Sequence, residues 1–273
     1  MRALAATWAA IAATTAAAPA SAPAEPKAPG PLSSAAAAPT RSAAWIARLV
    51  APTSARVEHK APGPLSSAPT RGAAWIARLV ADTPAWSGPR AEGSPRMLAP
   101  LSPATGGPVG LLVLEVRDDW LRVLLPERPN GRSAWVNARR VRLSRTRWRV
   151  EVDRSARLVR VLRGGRTVRR FRAVVGAPGT PTPVGRFAVA EFAREPDPDG
   201  FLGPYALHLT AHSEVLDDYG GGPGRVAIHG RGGASLADPL GSARSHGCVR
   251  VSNAAVRFLA RRLVPGVPVA VIS

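Results

Sequence analysis

Only one segment after residue 85 has the spacing of an amphipathic helix, and this scarcity of helix constrains the fold more than any other feature. The segment N-A-A-V-R-F-L-A-R-R-L can be capped at its start by Ser252 or Asn253. Its apolar residues fall on one helical face: Val256, Leu259, Ala260 and Leu263. The other apolar runs are short, rich in Val and Leu, and separated by Gly and Pro. The sequence therefore predicts a mostly β protein with one main helix.

Residues 85–146 have the pattern of a small β domain. Strand-like runs occupy 111–116, 120–126, 133–136 and 139–143, and the turn cluster E-R-P-N-G-R separates the second run from the third. Short strands at this spacing predict a small barrel. The order V-L-E-V, W-L-R-V-L-L, N-G-R-S-A-W-V also resembles the bacterial SH3-like modules that precede cell-wall enzymes.

Residues 147–273 form a second predicted domain. It begins with strand-like runs, continues through the Pro/Gly-rich loop 176–185, and returns to strands at 206–212 and 225–229. The helix then follows, and V-P-V-A-V-I closes the chain as a last strand. This order predicts a second mostly β unit that contains the main helix.

The N-terminus has the pattern of an export signal. Arg2 supplies a positive start, Ala3–Ala18 is a short apolar region, and Ala18-Pro19-Ala20 offers a small-residue cleavage site. No other segment approaches about 18 consecutive apolar residues. We therefore expect residues 1–20 to be a signal peptide, either cleaved or retained as an anchor, and the protein to be secreted or held in the cell envelope.

Residues 21–84 are interpreted as a largely disordered linker that contains a duplication. Residues 27–51 and 60–81 each join K-A-P-G-P-L-S-S to the piece A-A-W-I-A-R-L-V. Two copies are fewer than the three that a stacked repeat fold needs. The Ala/Pro/Ser composition favours a spacer that cannot bury enough apolar surface to fold.

The formal net charge of +19 is carried almost entirely by arginine. Such a charge is typical of proteins that meet an acidic partner, such as an anionic envelope polymer, a lipid surface or nucleic acid. The arginines are scattered, however, and no nucleic-acid-binding motif accompanies them. We therefore expect no nucleic-acid partner, and a solvated basic surface stays open as an explanation.

The segment S-A-R-S-H-G-C-V-R contains Cys248, the only cysteine in the chain. A single cysteine cannot form an internal disulfide, and a free thiol in an exported protein indicates reactivity. A neighbouring base can activate such a thiol, and His246 and His229 are the candidates. Gly247 allows a sharp turn that aims the amides of Gly247 and Cys248 at a substrate carbonyl.

These residues resemble the catalytic domain of the L,D-transpeptidases, the YkuD family. I-H-G at 228–230 and S-H-G-C-V-R at 245–250, with fifteen residues between His229 and Ser245, fit the family signature, and T-P-T-P-V-G-R-F at 180–187 fits its T-P-x-G-x-F segment. The resemblance covers residues 147–273. It implies a YkuD-type, β-sandwich-like catalytic domain behind the SH3-like barrel.

The resemblance also implies residue roles. Cys248 becomes the nucleophile and His229 the general base and acid, oriented by the carbonyl of Gly230. His246 becomes a neighbour that tunes the site, and Gly247 an oxyanion donor. The substrate-binding candidates are Arg250, Ser245 and Tyr205, and Arg231 departs from the Thr that many relatives carry.

The implied reaction forms 3→3 crosslinks between peptidoglycan stem peptides through a cysteine thioester, without a metal or another cofactor. Carbapenem-type β-lactams are the expected inhibitors. Hydrolysis of the same stems by an L,D-carboxypeptidase and a non-catalytic wall-binding scaffold stay open as alternatives. A zinc site built from His208, His212 and the residues around Cys248 is disfavoured, because L-H-L-T-A-H alternates like a strand and would separate the two histidines by roughly 13 Å.

Overall fold

A computed structural model describes residues 72–219 and 222–273. The predicted signal peptide, residues 1–20, and the first copy of the duplicated segment lie outside the described residues. Within the described ranges the strands form two large sheets and two small strand pairs. No helix in these ranges is long and apolar enough to span a membrane.

The first sheet contains five antiparallel strands in the N-terminal half of the described chain. Its region comprises β1 (Ala74–Leu79), β2 (Thr83–Ala85), β3 (Arg96–Leu98), β4 (Gly110–Arg117), β5 (Trp120–Leu124), β6 (Ser133–Asn137) and β7 (Val141–Thr146). The sheet order is β6-β5-β4-β1-β7, and β2 pairs with β3 separately. Alternate residues point into its own core, where Leu121, Val123 and Val136 are fully buried. The four runs predicted as strands after residue 110 form β4 to β7.

Strand β1 revises the expected linker, which was placed at 21–84. Ala74–Leu79 lies inside the sheet, where it pairs with β4 on one side and β7 on the other. Ala77 and Leu79 are buried there. The segment A-A-W-I-A-R-L-V is too short to predict a strand by itself. The strand is stabilised by partner strands that lie more than 30 residues away in the chain. The β unit therefore begins before residue 85.

The second region contains the main helix. Its elements are β8 (Trp148–Asp153), β9 (Leu158–Arg163), β10 (Arg166–Arg172), β11 (Val175–Gly176), β12 (Gly185–Arg194), β13 (Tyr205–His212), β14 (Arg225–His229), β15 (Ala243–Ser245), β16 (Val249–Arg250), α1 (Asn253–Ala260) and β17 (Pro268–Ile272). Short 3-10 turns cover Pro89–Ala91, Ala138–Arg140 and Gly233–Ala237. In the described chain, α1 is the one α-helix, which agrees with the predicted fold class.

The large sheet of this region has the order β10-β9-β8-β17-β12-β13-β14-β16, and β11 pairs with β15. The last strand of the chain, β17, lies in the middle, parallel to β8 and antiparallel to β12. Helix α1 begins after Ser252, whose hydroxyl accepts a hydrogen bond from the amide of Ala255 at 3.2 Å. Its buried face, which includes Val256 and Leu259, packs on the sheet core. The end of the sheet formed by β13, β14 and β16 holds the residues of the signature.

The two regions meet through specific polar contacts. Glu191 of β12 is buried and bonds with Ser102 and Thr105 of the first region and with Arg225 of β14. The side-chain amide of Asn130 makes two hydrogen bonds to the backbone of His212, one to its carbonyl and one from its amide, each of 2.8 Å. The first region therefore contacts the second sheet at His212, the last residue of β13.

Candidate active site

Cys248 lies on a tight turn between β15 and β16 and is half-buried. Gly247, just before it, has a φ of +115°, which L side chains rarely adopt. A Cβ placed there would find its nearest neighbours 3.7 Å away or more, so backbone conformation rather than space requires the glycine. The glycine of S-H-G-C is therefore needed to present the thiol.

Side-chain hydroxyls hold the backbone of this turn. Ser245 is fully buried, donates to the carbonyl of Cys248 at 2.5 Å and accepts from the amide of Gly247 at 3.2 Å. Thr182 donates to the carbonyl of Gly247 at 2.9 Å, and Thr180 donates to the carbonyl of Ser245 at 3.1 Å. The motif T-P-T-P-V-G thus buttresses the nucleophile turn, a role that its sequence position did not reveal.

These contacts change two of the predicted roles. Ser245 is fully buried and its hydroxyl is committed to the turn, so its observed contacts are those that hold Cys248 in place. The amide of Gly247 points to the Ser245 hydroxyl, so it is engaged in the resting turn. No hydrogen bond among the described residues engages the amide of Cys248, which makes that amide the available oxyanion donor.

The imidazole of His229 is buried at the end of β14 and has a fixed orientation. Its Nδ1 lies 2.8 Å from the carbonyl oxygen of Gly230. A carbonyl can only accept, so Nδ1 carries the proton and Nε2 is left as the basic nitrogen. Gly230 itself is closely packed, since a Cβ there would meet the side chains of Asn253 and Pro204. The structure places Gly230 where the sequence interpretation needed it.

Strand register brings His229, Cys248 and Arg250 to one face of the sheet. β14 and β16 run parallel, with Ile228 opposite Val249 and His229 opposite Arg250. Ile228 and Val249 point into the core, so their neighbours point to the other face. Cys248 is then one diagonal step from His229, roughly 8 Å between Cα atoms at standard strand spacings. Long side chains bridge such a diagonal.

Arg250 is a buried ion-pair partner rather than an open carboxylate-binding residue, which revises the sequence interpretation. Its guanidinium lies 2.5 Å from the carboxylate of Asp238, and the two side chains are 5% and 22% exposed. Its Cζ also lies 4.8 Å from the ring centre of Phe201. Asp238 and Phe201 carried no sequence signal, because only the fold brings them next to V-R.

Burial and the charge of Arg250 set the protonation of the site. Burial, and then the nearby Arg250 cation, lower the pKa of His229 to about 4. Burial raises the pKa of the Cys248 thiol, although the amide of Ala227 and the Arg250 cation act in the opposite direction. Both groups are therefore neutral near pH 7. The thiol keeps its proton until a substrate arrives, and the unprotonated imidazole is ready to take it.

His246 lies beside Tyr219. The Tyr219 hydroxyl is 3.3 Å from Nδ1 of His246, and the two ring centres are 5.2 Å apart. The His246 side chain is exposed. The role of His246 as a neighbour that tunes the site stays a prediction, and His229 is the histidine whose tautomer is fixed by a backbone carbonyl.

Two other residues named from the sequence, Tyr205 and Arg231, have contacts of their own. Tyr205 lines a cavity of about 360 Å³ together with Phe192 and Leu263, and Cys248 is not among the residues that line it. Arg231 folds back and donates to the carbonyls of Ser235, Leu236 and Asp238. It therefore fastens the 3-10 turn that precedes Asp238.

The zinc alternative can be compared with the geometry. His208 and His212 both lie on β13, as the alternation of L-H-L-T-A-H indicated. Among the residues that the structure describes, no group of three or more His, Cys, Asp or Glu side chains is arranged to hold a metal ion. The residues that converge at the turn are those of a cysteine–histidine pair.

Comparisons with known proteins identify the same region. Residues 147–271 match the family model described as YkuD, L,D-transpeptidase catalytic domain. A Bacillus licheniformis protein whose name assigns it to the YkuD L,D-transpeptidases is 32% identical over 124 residues, which are 45% of this chain and 65% of that protein. The chain thus spans slightly less than two thirds of that relative.

Solved structures with the same family name show partial likeness. An L,D-transpeptidase fragment from Xylanimonas cellulosilytica is 28% identical, with a TM-score of 0.32, over 46% of this chain and 60% of that one. An L,D-transpeptidase from Mycobacterium smegmatis is 17% identical, with a TM-score of 0.38, over 70% of this chain and 100% of that one. An L,D-transpeptidase in complex with imipenem is 18% identical, with a TM-score of 0.38, over 77% and 99%. Residues 147–271 are therefore similar to the L,D-transpeptidase catalytic domain of the YkuD family, both in the family-model match and in the curated relative, which is matched over 45% of this chain.

Proposed function

We propose that this protein is a cysteine-dependent L,D-transpeptidase that forms 3→3 crosslinks between peptidoglycan stem peptides. The observation that carries the proposal is the fixed tautomer of His229, whose Nδ1 is bound to the Gly230 carbonyl at 2.8 Å on the sheet face that also carries Cys248. With the proton held on Nδ1, Nε2 is the basic nitrogen that is proposed to take the proton of the thiol.

Acylation begins with a neutral pair. As the sulfur of Cys248 attacks the carbonyl that follows an L-configured centre, its proton passes to Nε2 of His229. The oxyanion that develops accepts a hydrogen bond from the Cys248 amide, and the amide of Gly247 joins it only if its bond to Ser245 opens. The C–N bond to the terminal D-Ala then breaks, His229 returns the proton to the leaving amine, and a thioester is left on Cys248.

Deacylation repeats the proton transfers with a different nucleophile. The side-chain amine of diaminopimelate on a second stem attacks the thioester carbonyl and gives its proton to His229. The C–S bond breaks, the sulfur regains a proton from His229, and the new amide links the two stems. The site needs no cofactor for these steps, because proton transfer and oxyanion binding both come from the protein.

The setting of the enzyme is part of the same proposal. The Ala-rich pattern of residues 1–20 supports export, and the net charge of +19 suits an anionic wall. The five-stranded unit, whose sequence resembles an SH3-like module, is proposed to orient the catalytic domain on peptidoglycan. The two hydrogen bonds between the Asn130 side chain and the backbone of His212 support a fixed relation between the two units. Carbapenems are proposed to acylate Cys248.

The direct test is incubation of the purified protein with a disaccharide-tetrapeptide that ends in D-Ala. Mass spectrometry should show a dimer equal to two substrates minus one D-Ala, with the new bond between two diaminopimelate residues. The Cys248→Ala variant should form no dimer, and His229→Ala should lose at least about 100-fold in rate. If tripeptide is released without any dimer, the enzyme is a carboxypeptidase. A dimer made by Cys248→Ala would overturn the proposal.

A further inference from the structure

The two copies of the duplicated segment differ at one position over the part that forms a strand. Residues 39–51, the first copy, read P-T-R-S-A-A-W-I-A-R-L-V-A, and residues 69–81, the second copy, read P-T-R-G-A-A-W-I-A-R-L-V-A. The second copy supplies β1, which lies between β4 and β7 in the sheet. The first copy therefore has every side chain that this place in the sheet uses.

The position of β1 in the sheet requires particular side chains from the segment that fills it. Ala77 is fully buried and Leu79 is 2% exposed in the core of the five-stranded sheet. Ile76 reaches the core of the catalytic region instead. β7 pairs with β1 along its whole length and β4 pairs with residues 76–78, so the sheet needs an occupant. Ala47, Leu49 and Ile46 are the equivalent residues of the first copy.

The single difference falls at the one position that requires glycine. Gly72 has a φ of +85°, and a Cβ there would lie 2.9 Å from the backbone carbon of Gly164. The first copy has Ser42 at this point. A serine would be strained in that conformation and would also displace the Gly164 turn. The difference between Gly72 and Ser42 therefore favours the second copy.

We propose that the place of β1 accepts either copy of the same chain, and that residues 43–50 occupy it when residues 73–80 are displaced. When the first copy replaces the second, the connection to β2 lengthens from residues 80–82 to residues 50–82. The extra cost of closing this longer loop lowers the population of molecules with the first copy in the sheet about 40-fold. The strain at Ser42 lowers that population by roughly another factor of 10. The first copy thus occupies the sheet in roughly one molecule in 400 at rest.

Exchange changes how much chain precedes the sheet. With the second copy in place, the sheet is entered at residue 74, and with the first copy it is entered at residue 44. The chain that leads to the enzyme is then shorter by thirty residues, an extended reach of about 100 Å. The exchange is a property of the five-stranded sheet and does not depend on the proposed catalysis.

The test compares two matched variants of the full chain, Ala77→Asp and Ala47→Asp. A carboxylate in the fully buried position of Ala77 expels the second copy. Ala47→Asp disables the first copy and should leave thermal unfolding unchanged. Ala77→Asp should retain a folded five-stranded sheet with a lowered Tm, and the double variant should lose that sheet.

A disulfide reports which copy is in the sheet. Arg78 lies opposite Arg142 of β7, so Arg48→Cys with Arg142→Cys, on a Cys248→Ala background, should crosslink only when the first copy is in place. Arg78→Cys with Arg142→Cys is the positive control. The link from position 48 should be rare at rest, rise about tenfold with Ser42→Gly, and dominate with Ala77→Asp.

The proposal is overturned if Ala77→Asp unfolds the sheet as fully as the double variant does. It is also overturned if the link from position 48 stays at background in Ala77→Asp while the positive control crosslinks. Links that join two different chains would assign the exchange to a second molecule and contradict exchange within one chain.

Discussion

Thr182 is the residue at which the support of the nucleophile turn can be tested most cleanly. It is fully buried, donates to the carbonyl of Gly247 at 2.9 Å and accepts from the amide of Gly176 at 2.9 Å. Thr182→Val keeps the shape of the side chain and removes both hydrogen bonds. A buried carbonyl and a buried amide then lose their partners, at about 1–3 kcal/mol each.

The expected loss is therefore about 3 kcal/mol in the free energy of unfolding, which corresponds to a fall of roughly 6–12 °C in Tm for a domain of this size. The Gly247 carbonyl and the Cys248 amide belong to the same peptide group. Loss of the hydrogen bond to the carbonyl should therefore also move the amide, the proposed oxyanion donor, and slow acylation. A displacement of about 1 Å in such a site reduces the rate by about 100-fold. Differential scanning calorimetry and stopped-flow acylation by a carbapenem measure the two effects.

Thr180→Val is the matched control. Thr180 donates to the Ser245 carbonyl at 3.1 Å, but that carbonyl also accepts from the amide of Ala177 at 2.8 Å. Loss of the hydroxyl leaves no backbone group without a partner, so Tm and rate should change little. If the two variants behave alike, the hydroxyl of Thr182 does not hold the turn and the reasoning is refuted.

Three further predictions follow from the same contacts. The pKa of His229 is about 4 in the folded protein and 6.5 for an unperturbed histidine, so the unfolded chain binds the extra proton between these values. The free energy of unfolding should therefore rise by up to about 3 kcal/mol as the pH increases from 4 to 6.5, and this increment is lost as the pH falls again. Urea titrations of His229→Gln at the same pH values should show no such increase. Asp238→Asn leaves the buried Arg250 cation without its carboxylate, which should reduce stability by about 2 kcal/mol or more and lower the pKa of the Cys248 thiol in iodoacetamide kinetics; an unchanged thiol pKa would contradict the placement of Arg250. Asn130→Ala removes both hydrogen bonds to the backbone of His212 and should lower the free energy of unfolding by about 2 kcal/mol in urea titrations; a loss below about 0.5 kcal/mol would show that this contact does not couple the two regions.

Much of the fold could be predicted because the local signals agree with the final packing. The stripe of Val256 and Leu259 with Ser252 before it gave helix α1, and the alternation of L-H-L-T-A-H gave β13. β1 was not predictable in the same way. The segment A-W-I-A-R-L has the appearance of part of a linker. Only its pairing with β4 and β7 stabilises it as a strand.

The site residues also divide into those that the sequence could predict and those that it could not. Cys248 could be named as a nucleophile from the residues alone, which left His229 and His246 open as its base. The resemblance to the YkuD signature then implied His229 and the carbonyl of Gly230. Burial was not visible in the sequence, so Arg250 and Ser245 were interpreted as substrate contacts, although both side chains are almost fully buried. Asp238 and Thr182 were missed because their importance comes from contacts made across the fold.

The central claim is that His229 activates Cys248 as an acyl acceptor, and the most direct measurement is intact-protein mass spectrometry of the reduced full chain after incubation with a carbapenem. We predict one adduct per chain, located on Cys248, that is absent in Cys248→Ala and forms at least about 100-fold more slowly in His229→Ala. His246→Ala should retain most of the rate. A folded, reduced protein without an adduct, or one in which His246→Ala is the slower variant, would contradict the account.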